Sequence, residues 1–93
     1  MQAAREGLRK IVFDTLRQAP AEEAPLLAWP VVCGPRVAEK TRALSFTEGV
    51  LRVEAPDAAW CEELAELERQ YLAGFEQAPG AAVKRIEFVV ARP

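Results

Sequence analysis

Apolar and polar residues alternate over positions 44–55, while on either side apolar residues recur every three or four positions, so the chain reads as a hairpin between helices. In "LSFTEGVLRVEA", Leu44 and Phe46 alternate with Ser45 and Thr47, and Leu51, Val53 and Ala55 alternate with Arg52 and Glu54. With Glu48 and Gly49 as a two-residue loop, Thr47 is expected opposite Val50, Phe46 opposite Leu51 and Leu44 opposite Val53. That register puts the bulky apolar side chains of both strands on one face.

Before the hairpin, Leu8, Ile11, Val12 and Leu16 mark an amphipathic first helix, with Arg5, Arg9, Lys10 and Arg17 mostly on its other side. The segment "PAEEAP" reads as a turn, because proline biases the residue before it away from helix. A second helical pattern begins near Ala24 and turns Trp29, Val32, Cys33 and Val37 to one side. Pro30 is compatible with a first turn, and Gly34 and Pro35 end one short helix and start another, so the segment is expected to be an interrupted helix. After the hairpin, Asp57 is positioned as an N-cap for a long third helix with the stripe Trp60, Leu64, Leu67, Tyr71 and Phe75, closed by "QAPG". Trp60 is expected to fill the gap between that helix and the hairpin. Glu62, Glu63, Glu66 and Glu68 occupy the outer side as a solvated acidic face. In the last strand, "AVKRIEFVV", Ile86, Phe88 and Val90 face one way and Arg85, Glu87 and Val89 the other.

The order α-α-β-β-α-β predicts an α+β two-layer domain, a three-stranded sheet covered on one face by helices. The other sheet face carries Ser45, Thr47, Val50, Arg52, Glu54, Arg85, Glu87 and Val89 and is expected to be open to water or a partner.

Composition narrows the function. With 93 residues, 51% hydrophobic and 28% charged, the chain suits one soluble globular domain over residues 1–93. Neither a membrane span nor a signal peptide is legible, and a cytoplasmic protein is expected. There is no histidine, and the two cysteines, Cys33 and Cys61, read as small buried hydrophobes. No nucleophile stands beside a base and no phosphate-binding glycine loop or metal cluster is visible, so neither an enzyme nor a cofactor is expected. The net charge of −2 conceals an asymmetry: residues 1–43 hold seven Lys or Arg against five Asp or Glu, and residues 44–93 hold five against nine. Overall acidity argues against strong phosphate-driven binding of nucleic acid.

Three segments, "WPVVCGPRVAEKT", "FTEGVLRVEAPDAAWCEEL" and "VKRIEFVV", together resemble the DciA family of bacterial replicative helicase operators or loaders. The positions that carry the resemblance are Trp29, Gly34, Ala38, Gly49, Leu51, Val53, Trp60, Leu64, Ile86 and Phe88, spread over about residues 8–90. It implies a KH-like fold and a non-enzymatic role in bringing the replicative helicase, DnaB, to DNA. The G-x-x-G loop with which RNA-binding KH domains clamp a backbone is absent. Lys40 stands where many members have a histidine, and Ala43 where they have a proline. No basic extension of the kind found in longer relatives flanks the domain, so DNA contact is expected to be weak or indirect.

Arg36 and Lys40, spaced i, i+4 and followed by Arg42, form the basic group most suited to a phosphate or an acidic partner, with Arg52 and Arg85 on the open sheet face. Trp29 and Trp60 lie on apolar helix faces and are expected in the core rather than stacked on bases. The alternative to the helicase adaptor is a KH-like module binding RNA or single-stranded DNA directly.

Overall fold

The computed structural model describes residues 17–78 and 82–92, and the expected first helix over positions 8–16 lies outside them. The elements run α1 (Ala24–Cys33), α2 (Pro35–Lys40), β1 (Arg42–Thr47), β2 (Val50–Ala55), α3 (Ala58–Glu66), α4 (Glu68–Glu76) and β3 (Arg85–Val90). They form a two-layer α+β domain with the strand order β1-β2-β3.

The interrupted helix is present, with its prolines in different roles from those expected. Pro25 occupies the first turn of α1, where its missing N–H costs nothing, and Pro30 sits inside the helix. There it removes one hydrogen bond to the carbonyl of Leu26. The helix nevertheless continues for three residues, and the Gly34 N–H closes it on the Pro30 carbonyl at 3.1 Å. Gly34 then takes φ 88°, a conformation that favours glycine, and Pro35 opens α2.

The hairpin pairs Thr47 with Val50 and Phe46 with Leu51 as expected, but the register shifts between Ala43 and Ser45. Ala43, not Leu44, lies opposite Val53, and Leu44 is left 39% exposed. The extra residue is a β-bulge, which keeps both Ala43 and Phe46 packed against the core although they are an odd number of residues apart. Strict alternation along the sequence could not show it. At the turn, Glu48 and Gly49 both have positive φ, 52° and 82°. Glutamate pays for that conformation and asparagine tolerates it better, so Glu48→Asn should raise stability by roughly 0.5 to 1 kcal/mol in chemical denaturation. A loss would show that the Glu48 side chain contributes more than its backbone costs.

β3 pairs with β2 in parallel, and α3 and α4 make the crossover. The strand starts on the hairpin turn, where the Gly49 carbonyl accepts from Lys84 and Arg85 N–H at 2.8 and 3.2 Å. The next N–H, that of Ile86, points to the outer edge. Glu68 satisfies it, its Oε2 accepting at 2.8 Å.

This contact sits at a break that the periodicity did not predict. The expected single third helix is two, divided at Leu67, whose N–H bonds only three residues back to Leu64. Leu67 is consequently 37% exposed rather than part of the buried stripe. The start of α3 is as expected, with the Asp57 carboxylate accepting from the Trp60 N–H at 2.9 Å.

Trp29 is the centre of the core. It is 1% exposed and meets Tyr71 edge-on at 5.1 Å between ring centroids, with Phe75 and Phe88 at 6.3 and 6.2 Å. Leu51, Val53, Leu64 and Ile86 complete the buried cluster, while Trp60 is half-buried against its side. Trp60, expected to fill the gap between the third helix and the hairpin, packs against the core only partly buried, and the fully buried tryptophan is Trp29. Val90, expected with Ile86 and Phe88, ends its strand 49% exposed.

Candidate functional site

The basic residues at the end of α2 are positioned by a half-buried polar relay. Trp29 Nε1 donates to Thr41 Oγ1 at 2.9 Å, and the Thr41 hydroxyl donates to the Val37 carbonyl at 2.7 Å. The six-residue α2 cannot hold itself in place by its own backbone bonds, so this pair of bonds ties its last turn to the core. Arg36 and Lys40 project from α2 and are exposed, and Arg42 follows Thr41 as the first residue of β1, also exposed. These three line the junction of α2 and β1, with the exposed Glu39 among them.

Strand register decides the rest of the surface. Arg42 lies opposite Glu54, and Glu54 opposite Val89; Ser45 lies opposite Arg52, and Arg52 opposite Glu87; Thr47 lies opposite Val50, and Val50 opposite Arg85. Across the three strands Arg42, Arg52 and Arg85 thus occupy one diagonal of the face turned away from the core. Neighbouring members are roughly 7 to 8 Å apart by sheet geometry.

Two of the three are not free. Arg52 donates from Nε and Nη2 to Glu87 Oε1 at 3.2 and 3.0 Å, and Arg85 Nη2 lies 3.5 Å from Glu87 Oε2. One carboxylate therefore holds two guanidinium groups, each more than half exposed, so the pairing restrains direction more than it stabilises the fold. Among the described residues, Arg42 and Glu54 make no ion pair despite facing each other. The five candidate residues accordingly divide into Arg36, Lys40 and Arg42 along the α2–β1 junction, with no ion pair to a described residue, and Arg52 and Arg85, bound to Glu87. Sequence reasoning placed Glu87 on this face without seeing its role, because the sequence does not say which residues of β2 and β3 are adjacent.

Cys33 and Cys61 are free thiols. Burial pushes the Cys33 thiol up to about 12, away from the thiolate form that nucleophilic chemistry requires. Tyr71 is raised by burial and then by the neighbouring Cys33. Among the described residues, no three acidic or cysteine side chains are grouped to hold a metal ion, and no helix is long and apolar enough to cross a membrane. What the exposed surface can do is bind anionic groups through arginine and lysine, and apolar side chains through Leu44 and the half-buried Val50 and Val89.

Over 84 residues the chain is 37% identical to the UPF0232 proteins of Mycobacterium bovis and Mycobacterium tuberculosis, a stretch that covers 90% of this chain and 43% of each relative. The chain thus spans less than half the length of the curated relatives it matches. The family model described as "Dna[CI] antecedent, DciA" matches residues 2–88, nearly the whole chain. Trp29 at the core, Gly34 and Gly49 at their turns and Ile86 and Phe88 on β3 lie within that match, and the chain belongs to the DciA family.

Proposed function

We propose that residues 1–93 act as one DciA-like domain, a non-enzymatic cytoplasmic adaptor that helps to recruit or load the replicative helicase DnaB onto DNA. The observation that supports it best is the family match over residues 2–88, joined to an exposed basic segment, Arg36, Lys40 and Arg42, next to an exposed sheet face. A mixed surface of arginines, glutamates and a few apolar side chains suits a protein partner, since arginine is enriched in interfaces and both charge signs give register and specificity. Direct contact with DNA is secondary in this reading, because the chain carries net charge −2 and two of its three sheet-face arginines are already partnered.

The test is capture of purified replicative helicase by the immobilised domain, read beside binding of a single-stranded oligonucleotide over a salt series. Helicase binding that persists at physiological salt, with oligonucleotide binding that collapses there, is the expected result. Tight oligonucleotide binding without helicase capture would replace the adaptor by the nucleic-acid module.

A further inference from the structure

Glu87 is the one residue of the sheet face that touches two candidate binding residues. Its two oxygens are divided between Arg52 and Arg85, two of the three arginines on the diagonal. A row of three guanidinium groups across a sheet is complementary to the successive phosphates of an extended single strand, and guanidinium binds phosphate with the same fork that it offers a carboxylate. A phosphate approaching Arg52 or Arg85 must therefore displace Glu87 and face its negative charge. Glu54, on the same face and opposite Arg42, forms no ion pair with a described residue, so a phosphate reaching Arg42 displaces no bound carboxylate.

We propose that the Arg42–Arg52–Arg85 diagonal is a track for the phosphates of a single-stranded nucleic acid and that Glu87 sets its low affinity by occupying two of its three cations. The proposal rests on the proposed function and deepens its secondary part, the contact with DNA: Glu87 keeps that contact weak. Glu87 is the internal competitor, and its partner chemistry is the phosphodiester backbone rather than any base.

The measurement is the affinity of the domain for a fluorescent oligothymidylate across a salt series, with Glu87→Gln and Glu54→Gln compared with the parent. Both variants remove one negative charge, so net charge alone predicts equal gains. Freeing two guanidinium groups predicts about a tenfold gain for Glu87→Gln at low salt and a salt slope steeper by roughly 1.4, from two phosphates at about 0.7 each. Glu54→Gln should gain less than about threefold, and adding Arg52→Gln and Arg85→Gln to Glu87→Gln should abolish the gain. Equal gains from the two glutamines, or no gain from Glu87→Gln, overturns the role of Glu87. Helicase capture by the same variants separates this from the adaptor reading. If Arg52→Gln and Arg85→Gln weaken capture while Glu87→Gln leaves oligonucleotide binding unchanged, only the competitor role fails.

Discussion

Trp29→Ala should destabilise the domain by about 3 to 5 kcal/mol, the largest effect expected of any single substitution. The side chain is 1% exposed, and its ring stands among Tyr71, Phe75 and Phe88, which belong to α4 and β3. Truncation leaves a cavity where helices and sheet meet, and it also leaves the Thr41 hydroxyl without its indole donor. Native domains have only about 5 to 15 kcal/mol in total, so the variant should unfold at much lower denaturant. Trp60→Ala is the internal comparison. Trp60 is half-buried at the side of the core, and about 1 to 2 kcal/mol is expected from its loss. Equal midpoints for the two variants in urea would contradict the assignment of Trp29 as the central side chain.

The second large effect is on binding. Reversing Arg36, Lys40 and Arg42 to glutamate takes the net charge from −2 to −8, since each reversal removes two units. The three side chains are exposed, and stability should change by no more than about 0.5 kcal/mol per site. Partner binding, by contrast, should fall on the order of a hundredfold at low salt if each reversed contact costs roughly 1 kcal/mol. The loss should shrink as salt rises, because exposed charges are screened over about 10 Å at 0.1 M. Binding of helicase and single strand by the triple variant as tight as the parent at low salt would reduce this basic segment to a solvated helix end. The Trp29–Thr41–Val37 relay makes the result interpretable, for it holds α2 in place through half-buried groups that the reversals do not replace.

Local chemistry explains which parts of this architecture could be read from the chain. Asp57 caps α3 because its carboxylate reaches the Trp60 N–H three residues on, a bond set by short-range geometry alone. Gly34 and Gly49 both adopt positive φ, so the two punctuation points were legible from residue type. The hairpin was legible from Ser45 to Arg52 because alternation and turn length agree there. Arg36 and Lys40 share a helix face by their spacing, and membership of the DciA family followed from the order of Trp29, Gly34, Gly49, Trp60 and the last strand.

By itself the sequence determined the hairpin turn, the interrupted helix before it, the start of α3, the last strand and the exposed basic junction, because each depends on residues close together in the chain. Tertiary structure alone decided three things. The bulge at Leu44 arises because Ala43 and Phe46 must both face the core, and the break at Leu67 leaves Glu68 beside β3, where it satisfies the outward N–H of Ile86. The third is the ion pairing on the open sheet face: Arg52 and Glu87 are 35 residues apart, and only the parallel register of β2 and β3 makes them neighbours. Nothing in local periodicity encodes how two distant strands align, which is why the arginines were visible in the sequence and their common partner was not.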